Sequence, residues 1–102
     1  MTHEIPDNVN ISLEELVDQI LGSLETILDR KMTQPEDREY VRKWRAEYNY
    51  PLEIIYFAHV QARLFRSSSN DMEDIDDFLI FWHEEKLKDP AEIRVFEKSL
   101  GR

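Results

Sequence analysis

Apolar residues recur along this chain at spacings of three and four, the period of a helix face, and no segment shows a convincing strand pattern. Leu13, Leu16, Val17, Ile20, Leu24, Ile27 and Leu28 form the first such stripe. Ser12 precedes it, and Glu15 stands three residues on. Together they make a capping box, in which each side chain accepts from the other residue's backbone N–H. Gly22 lies inside the stripe at a cost of about 1 kcal/mol relative to Ala, marking a bend, a close approach or a boundary. A second start signal is Thr33 as N-cap with Pro35 and Glu36 behind it, followed by Tyr40, Val41, Trp44 and Tyr48 on one face. Asn49-Tyr50-Pro51 stops that helix, because Pro disfavours a helical residue before it and suits the first turn of the next.

From Leu52 the apolar positions Ile54, Ile55, Phe57, Ala58, Ala62 and Phe65 cover a wide arc, the mark of the most buried helix. Ser67-Ser68-Ser69-Asn70 reads as a loop, with Asn70 or a neighbouring Ser capping a fourth helix that carries Ile75, Phe78, Leu79 and Trp82. The acids Asp71, Glu73, Asp74, Asp76 and Asp77 crowd its first turns, where the helix dipole favours negative charge. Asp89-Pro90 with Glu92 opens a short last helix bearing Ile93, Phe96 and Leu100, ended by Gly101. The expected fold is therefore all-α, a compact bundle of four to five short helices. Residues 1–11 read as a flexible leader and residues 12–102 as one domain. Its core is expected around Trp44, Ile55, Ala58, Phe78 and Trp82, since buried aromatics dominate a small core.

Composition narrows the chemistry. The 102 residues contain no cysteine, which removes disulfides, thiolate nucleophiles and Cys-based zinc sites. No apolar run approaches the roughly 20 residues of a membrane span, and the first residues lack the regions of a signal peptide. A soluble, cytoplasmic protein is expected. The formal charge of −9 is uneven. Residues 1–29 hold seven acids and no Lys or Arg, residues 30–66 eight bases against five acids, and residues 67–102 ten acids against five bases. DNA is bound largely by neutralising its phosphates, so only the middle third offers a basic face for it.

Arg38, Arg42, Lys43 and Arg45 form the best basic cluster, with Arg38, Arg42 and Arg45 on one helix face. They read either as a phosphate-contacting surface or as a solvated face paired with Glu36, Glu39 and Glu47. Glu73 with Asp76, and Glu36 with Glu39, have the i, i+3 spacing of magnesium-binding carboxylates in helical hydrolases. A magnesium site needs several carboxylates converging in a dry pocket, and helix starts explain these pairs. His59 reads as a packed residue of the third helix and His83 as a surface residue; neither has zinc-ligand spacing. No catalytic residue, metal ligand or cofactor is assigned, and the chain is not read as an enzyme.

Order and spacing add a resemblance. Leu24 to Thr33, Tyr40-Val41-Arg42-Lys43-Trp44, Tyr50 to Ala58 and Ile75 to Leu87 together resemble the DnaD-like domain of bacterial and phage replication-initiation proteins, over about residues 22–96. The family repeats an aromatic, an aliphatic and a Trp every four residues in its fourth helix. Here Trp82 matches, Phe78 replaces the aliphatic, and Asp74 stands where Tyr is usual. The resemblance implies a primosome accessory that binds DNA and helps recruit the replicative helicase or its loader. It places DNA contact near the fourth helix, the Lys86-Leu87-Lys88 turn and the last helix. Candidate contact residues are Arg38, Arg42, Lys43 and Arg45 from the basic cluster, and Lys86 and Lys88 from this turn. The alternative is an acidic protein–protein adaptor without DNA binding, whose first and fourth helices meet a basic partner. The amphipathic first helix also allows a homo-oligomer, and no membrane contact is expected.

Overall fold

A computed structural model of the chain describes residues 12–65 and 70–101. The expected leader (residues 1–11), the serines 67–69 and Arg66 lie outside the described residues. Among the described residues the secondary structure is five α-helices and no strand: α1 Leu13–Leu28, α2 Pro35–Ala46, α3 Leu52–Phe65, α4 Asp71–Glu84 and α5 Pro90–Ser99. The fold is all-α. It divides into two compact units, Met1–Ala46 with α1 and α2, and Glu47–Arg102 with α3, α4 and α5.

In the first unit, α1 packs on α2. Both bonds of the Ser12–Glu15 capping box are present, at 3.2 and 3.0 Å. The buried face of α1 is Val17, Ile20, Leu21 and Leu24. Leu13, at the open first turn, is 36% exposed, while Leu21 fills a buried position outside the expected stripe. Helix α1 runs unbroken through Gly22, and a Cβ there would meet nothing within 4 Å, so this glycine marks neither a bend nor a close approach. Asp29 ends the helix in the left-handed conformation at φ 56°, and the Arg30 N–H reaches back to the Glu25 carbonyl. The turn is held by Glu25, whose carboxylate accepts from the Met32 N–H at 3.0 Å, and by Arg30, which pairs with buried Asp37 at 3.4 Å.

Helix α2 starts at Pro35, with the Asp37 N–H donating to the Gln34 carbonyl. Its cap position is thus Gln34, one residue past the expected Thr33, because Pro is best placed at the first helical position. The helix ends at Ala46, so Tyr48 is not on its face as expected. Asn49, a residue type that tolerates the left-handed region, sits at φ 58° and turns the chain away.

In the second unit, α3 packs on α4, and Ile54, Ile55, Ala58 and Ala62 of α3 and Met72, Ile75, Phe78 and Leu79 of α4 are all buried. Asn70 caps α4 by accepting from the Glu73 N–H at 3.0 Å, and Asp89 caps α5 by accepting from the Ala91 N–H at 2.7 Å. The expected core residues Trp44, Ile55, Ala58, Phe78 and Trp82 are all buried. Helix α4 ends in a pair of backward hydrogen bonds, Lys86 N–H to the His83 carbonyl and Leu87 N–H to the Trp82 carbonyl. This Schellman arrangement puts Lys86, not glycine, in the left-handed position at φ 62°.

Candidate functional site

The basic cluster of α2 is brought against the acids of α1. Arg38 pairs with Asp18 at 2.8 Å and with Glu14 at 3.0 Å. Arg42 donates to both oxygens of Glu14, at 2.9 to 3.1 Å, and to Glu39 at 3.0 Å. Carboxylates four residues apart on one helix thus meet guanidiniums four residues apart on the next. Of the partners expected from sequence, Glu39 takes part; the others come from α1, which spacing within a single helix does not reveal. Hydrogen bonds from Arg42 and then Arg38 hold the Glu14 carboxyl below its usual range. The same contacts raise both guanidiniums, Arg38 chiefly through Asp18 and Arg42 chiefly through Glu14. Lys43 lies elsewhere, its ammonium 5.7 Å from the centre of the Tyr40 ring, and Tyr40 in turn leans on Trp44 at 5.8 Å. Arg45 is half-exposed at the end of α2.

Lys86 and Lys88 are exposed on either side of half-buried Leu87. Tyr50, fully buried, donates its hydroxyl to the Leu87 carbonyl at 2.6 Å and so fastens this turn to the strand of chain entering α3. Burial, followed by Tyr48, pushes the Tyr50 phenol up to about 12. His83 differs from the surface residue expected. Its ring stacks on Tyr48 at 4.2 Å and meets Tyr50 edge-on at 6.5 Å, with Nδ1 buried. The reason is the early end of α2, which frees Tyr48 to cover the histidine. His59 is buried, as expected, and desolvation lowers its pKa, assisted by Arg63.

One polar group escaped sequence reasoning altogether. Glu97 of α5 is 1% exposed. Its carboxylate accepts from Trp82 Nε1 at 2.7 Å and from Gln61 Nε2 at 2.9 Å, joining α3, α4 and α5 in a buried node. Phe57 stacks on the Trp82 ring at 5.5 Å, and the Arg94 guanidinium lies 5.9 Å from the centre of the Phe57 ring. A signal was present: Glu97 stands four residues after Ile93, on the apolar stripe of α5. Asp74, at the position where the resembled family carries Tyr, is likewise buried, as is Asp76.

No three of the His, Asp and Glu side chains come together as a metal-holding group among the described residues. No helix among them is long and apolar enough to cross a membrane. No protein-family model matches the chain, and no curated protein or solved structure matches it either.

Proposed function

We propose that this chain is a non-catalytic, cytoplasmic accessory module of replication initiation that works through protein contacts, with the replicative helicase or its loader as partner. The replication role rests on the DnaD-like order of Tyr40 to Trp44, Tyr50 to Ala58 and Ile75 to Leu87. The preference for protein over DNA rests on one observation: Arg38 and Arg42, the centre of the basic cluster, are already engaged by Glu14, Asp18 and Glu39. A phosphate arriving there displaces existing carboxylates and meets a chain of formal charge −9, so the counterion release that drives DNA binding is small.

A second reading, DNA contact, has its own support in Lys86 and Lys88, which are exposed at the turn beside α5. A mobility-shift titration with single- and double-stranded DNA at low salt separates the two. The expected result is no shift of either, together with saturable binding of purified helicase or loader in a light-scattering titration. A DNA complex whose affinity falls steeply with salt, and which Lys86→Glu with Lys88→Glu abolishes, overturns the protein-contact reading.

A further inference from the structure

Helix α5 buries little apolar surface. Ile93 is its one buried apolar residue; Phe96 is half-buried, and Ala91 and Val95 are exposed, as is Leu100 at its end. By contrast, α3 buries Ile54, Ile55, Ala58 and Ala62, and α4 buries Met72, Ile75, Phe78, Leu79 and Trp82. Packing of an apolar face supplies most of the stability of a short helix, so α5 has the weakest hold of the three.

What α5 has instead is a polar seat. Each oxygen of the buried Glu97 carboxylate accepts one hydrogen bond, from Gln61 of α3 and from Trp82 of α4. Arg94 lies over Phe57 and Phe96 meets Phe81, so α5 roofs a face made of Phe57, Trp82 and Phe81. The directional bonds fix the register of α5, while desolvation of the carboxylate cancels much of their strength. When α5 lifts, the carboxylate and both donors regain water. The joint to α4, residues 85–89, is short. Tyr50 holds the Leu87 carbonyl on its α4 side, and the Asp89 cap with Pro90 starts α5 on the other. The pivot therefore falls at exposed Lys88, between two fixed points.

We infer that α5 is a hinged lid with Glu97 as its catch: it opens as one body about Lys88 and uncovers the Trp82 face while α3 and α4 stay paired. Openings of part of a fold lie below global unfolding in free energy, and the least-held element leaves first. The lid is a property of the second unit itself and stands whichever partner the chain has.

Residue-resolved amide hydrogen exchange of the full chain, followed by NMR at increasing urea, tests it. The amides of Arg94, Val95 and Phe96 are expected to share one opening, with a smaller urea slope than Ala58 and Leu79 and protection lower by roughly tenfold or more. Glu97→Ala weakens the closed state alone, so it is expected to speed the α5 amides by roughly tenfold. Ile55→Val, a one-methyl change in buried α3 packing that the open form retains, is expected to speed Ala58 and Leu79 by roughly threefold and to leave the α5 amides unchanged. This second variant and the wild type decide the matter even where Glu97→Ala folds too poorly to measure. One common rate and urea slope for all three helices, equal acceleration of α5 by Ile55→Val, no effect of Glu97→Ala, or rates that climb steadily from Arg94 to Ser99 as in simple fraying overturns the lid.

Discussion

Glu97 shows how much a single side chain can carry in a small unit. A buried carboxylate is costly unless hydrogen bonds compensate it, and here the Trp82 indole and the Gln61 amide do so. Removing the acceptor leaves two buried donors without their partner. Glu97→Ala is therefore expected to lower stability by roughly 1–3 kcal/mol in urea denaturation, and an unchanged midpoint would show the node to be incidental. Trp82→Ala is expected to cost about 3–5 kcal/mol, because the ring that packs on Phe57 and Phe78 goes as well. Trp82→Phe separates the two effects, keeping a ring and losing the N–H. His59 gives the pH dependence. Its folded pKa lies below the unfolded value near 6.5, so the unfolded chain takes up a proton first as pH falls. Stability is thus expected to drop as pH falls from about 7 through that range, and His59→Gln to flatten this part of a melting-temperature profile.

At the scale of helices, capping and turn chemistry explain most boundaries. Ser12, Asn70 and Asp89 cap α1, α4 and α5 as their side chains predict, and Gly101 follows α5 at φ 84°. The stop at Asn49 and the end at Gly101 were legible too, whereas the left-handed ends at Asp29 and Lys86 were not. Asp29, Asn49 and Lys86 adopt left-handed backbone where glycine is the easier choice, while Gly22 sits mid-helix where alanine is. Both departures invite a test by thermal melting. Gly22→Ala is expected to stabilise by about 1 kcal/mol, since the added methyl meets nothing and the unfolded chain loses freedom. Lys86→Gly is expected to gain about 1 kcal/mol by relieving the left-handed strain after α4. A loss in the second case would mean that the Lys86 side chain holds the turn through contacts of its own.

For the molecule as a whole, charge is the governing property. A formal −9 repels itself over distances that salt screens, whereas the Arg38 and Arg42 pairs are short-ranged and lie at the surface. Raising NaCl from low to physiological strength is accordingly expected to raise the melting temperature. A fall would show that the ion pairs between α1 and α2 outweigh the long-range repulsion. Helical periodicity, the caps and the absence of strand patterns were enough to read an all-α chain of four to five helices, and to name Trp44, Ile55, Ala58, Phe78 and Trp82 as buried. Those features depend on neighbours within four residues, so local sequence carries them. The partners of Arg38 and Arg42, the Trp82 and Gln61 donors that meet Glu97 and the cover over His83 depend on side chains brought together from different segments. Such pairings follow from how helices meet, and the spacing within one helix holds no record of its neighbour.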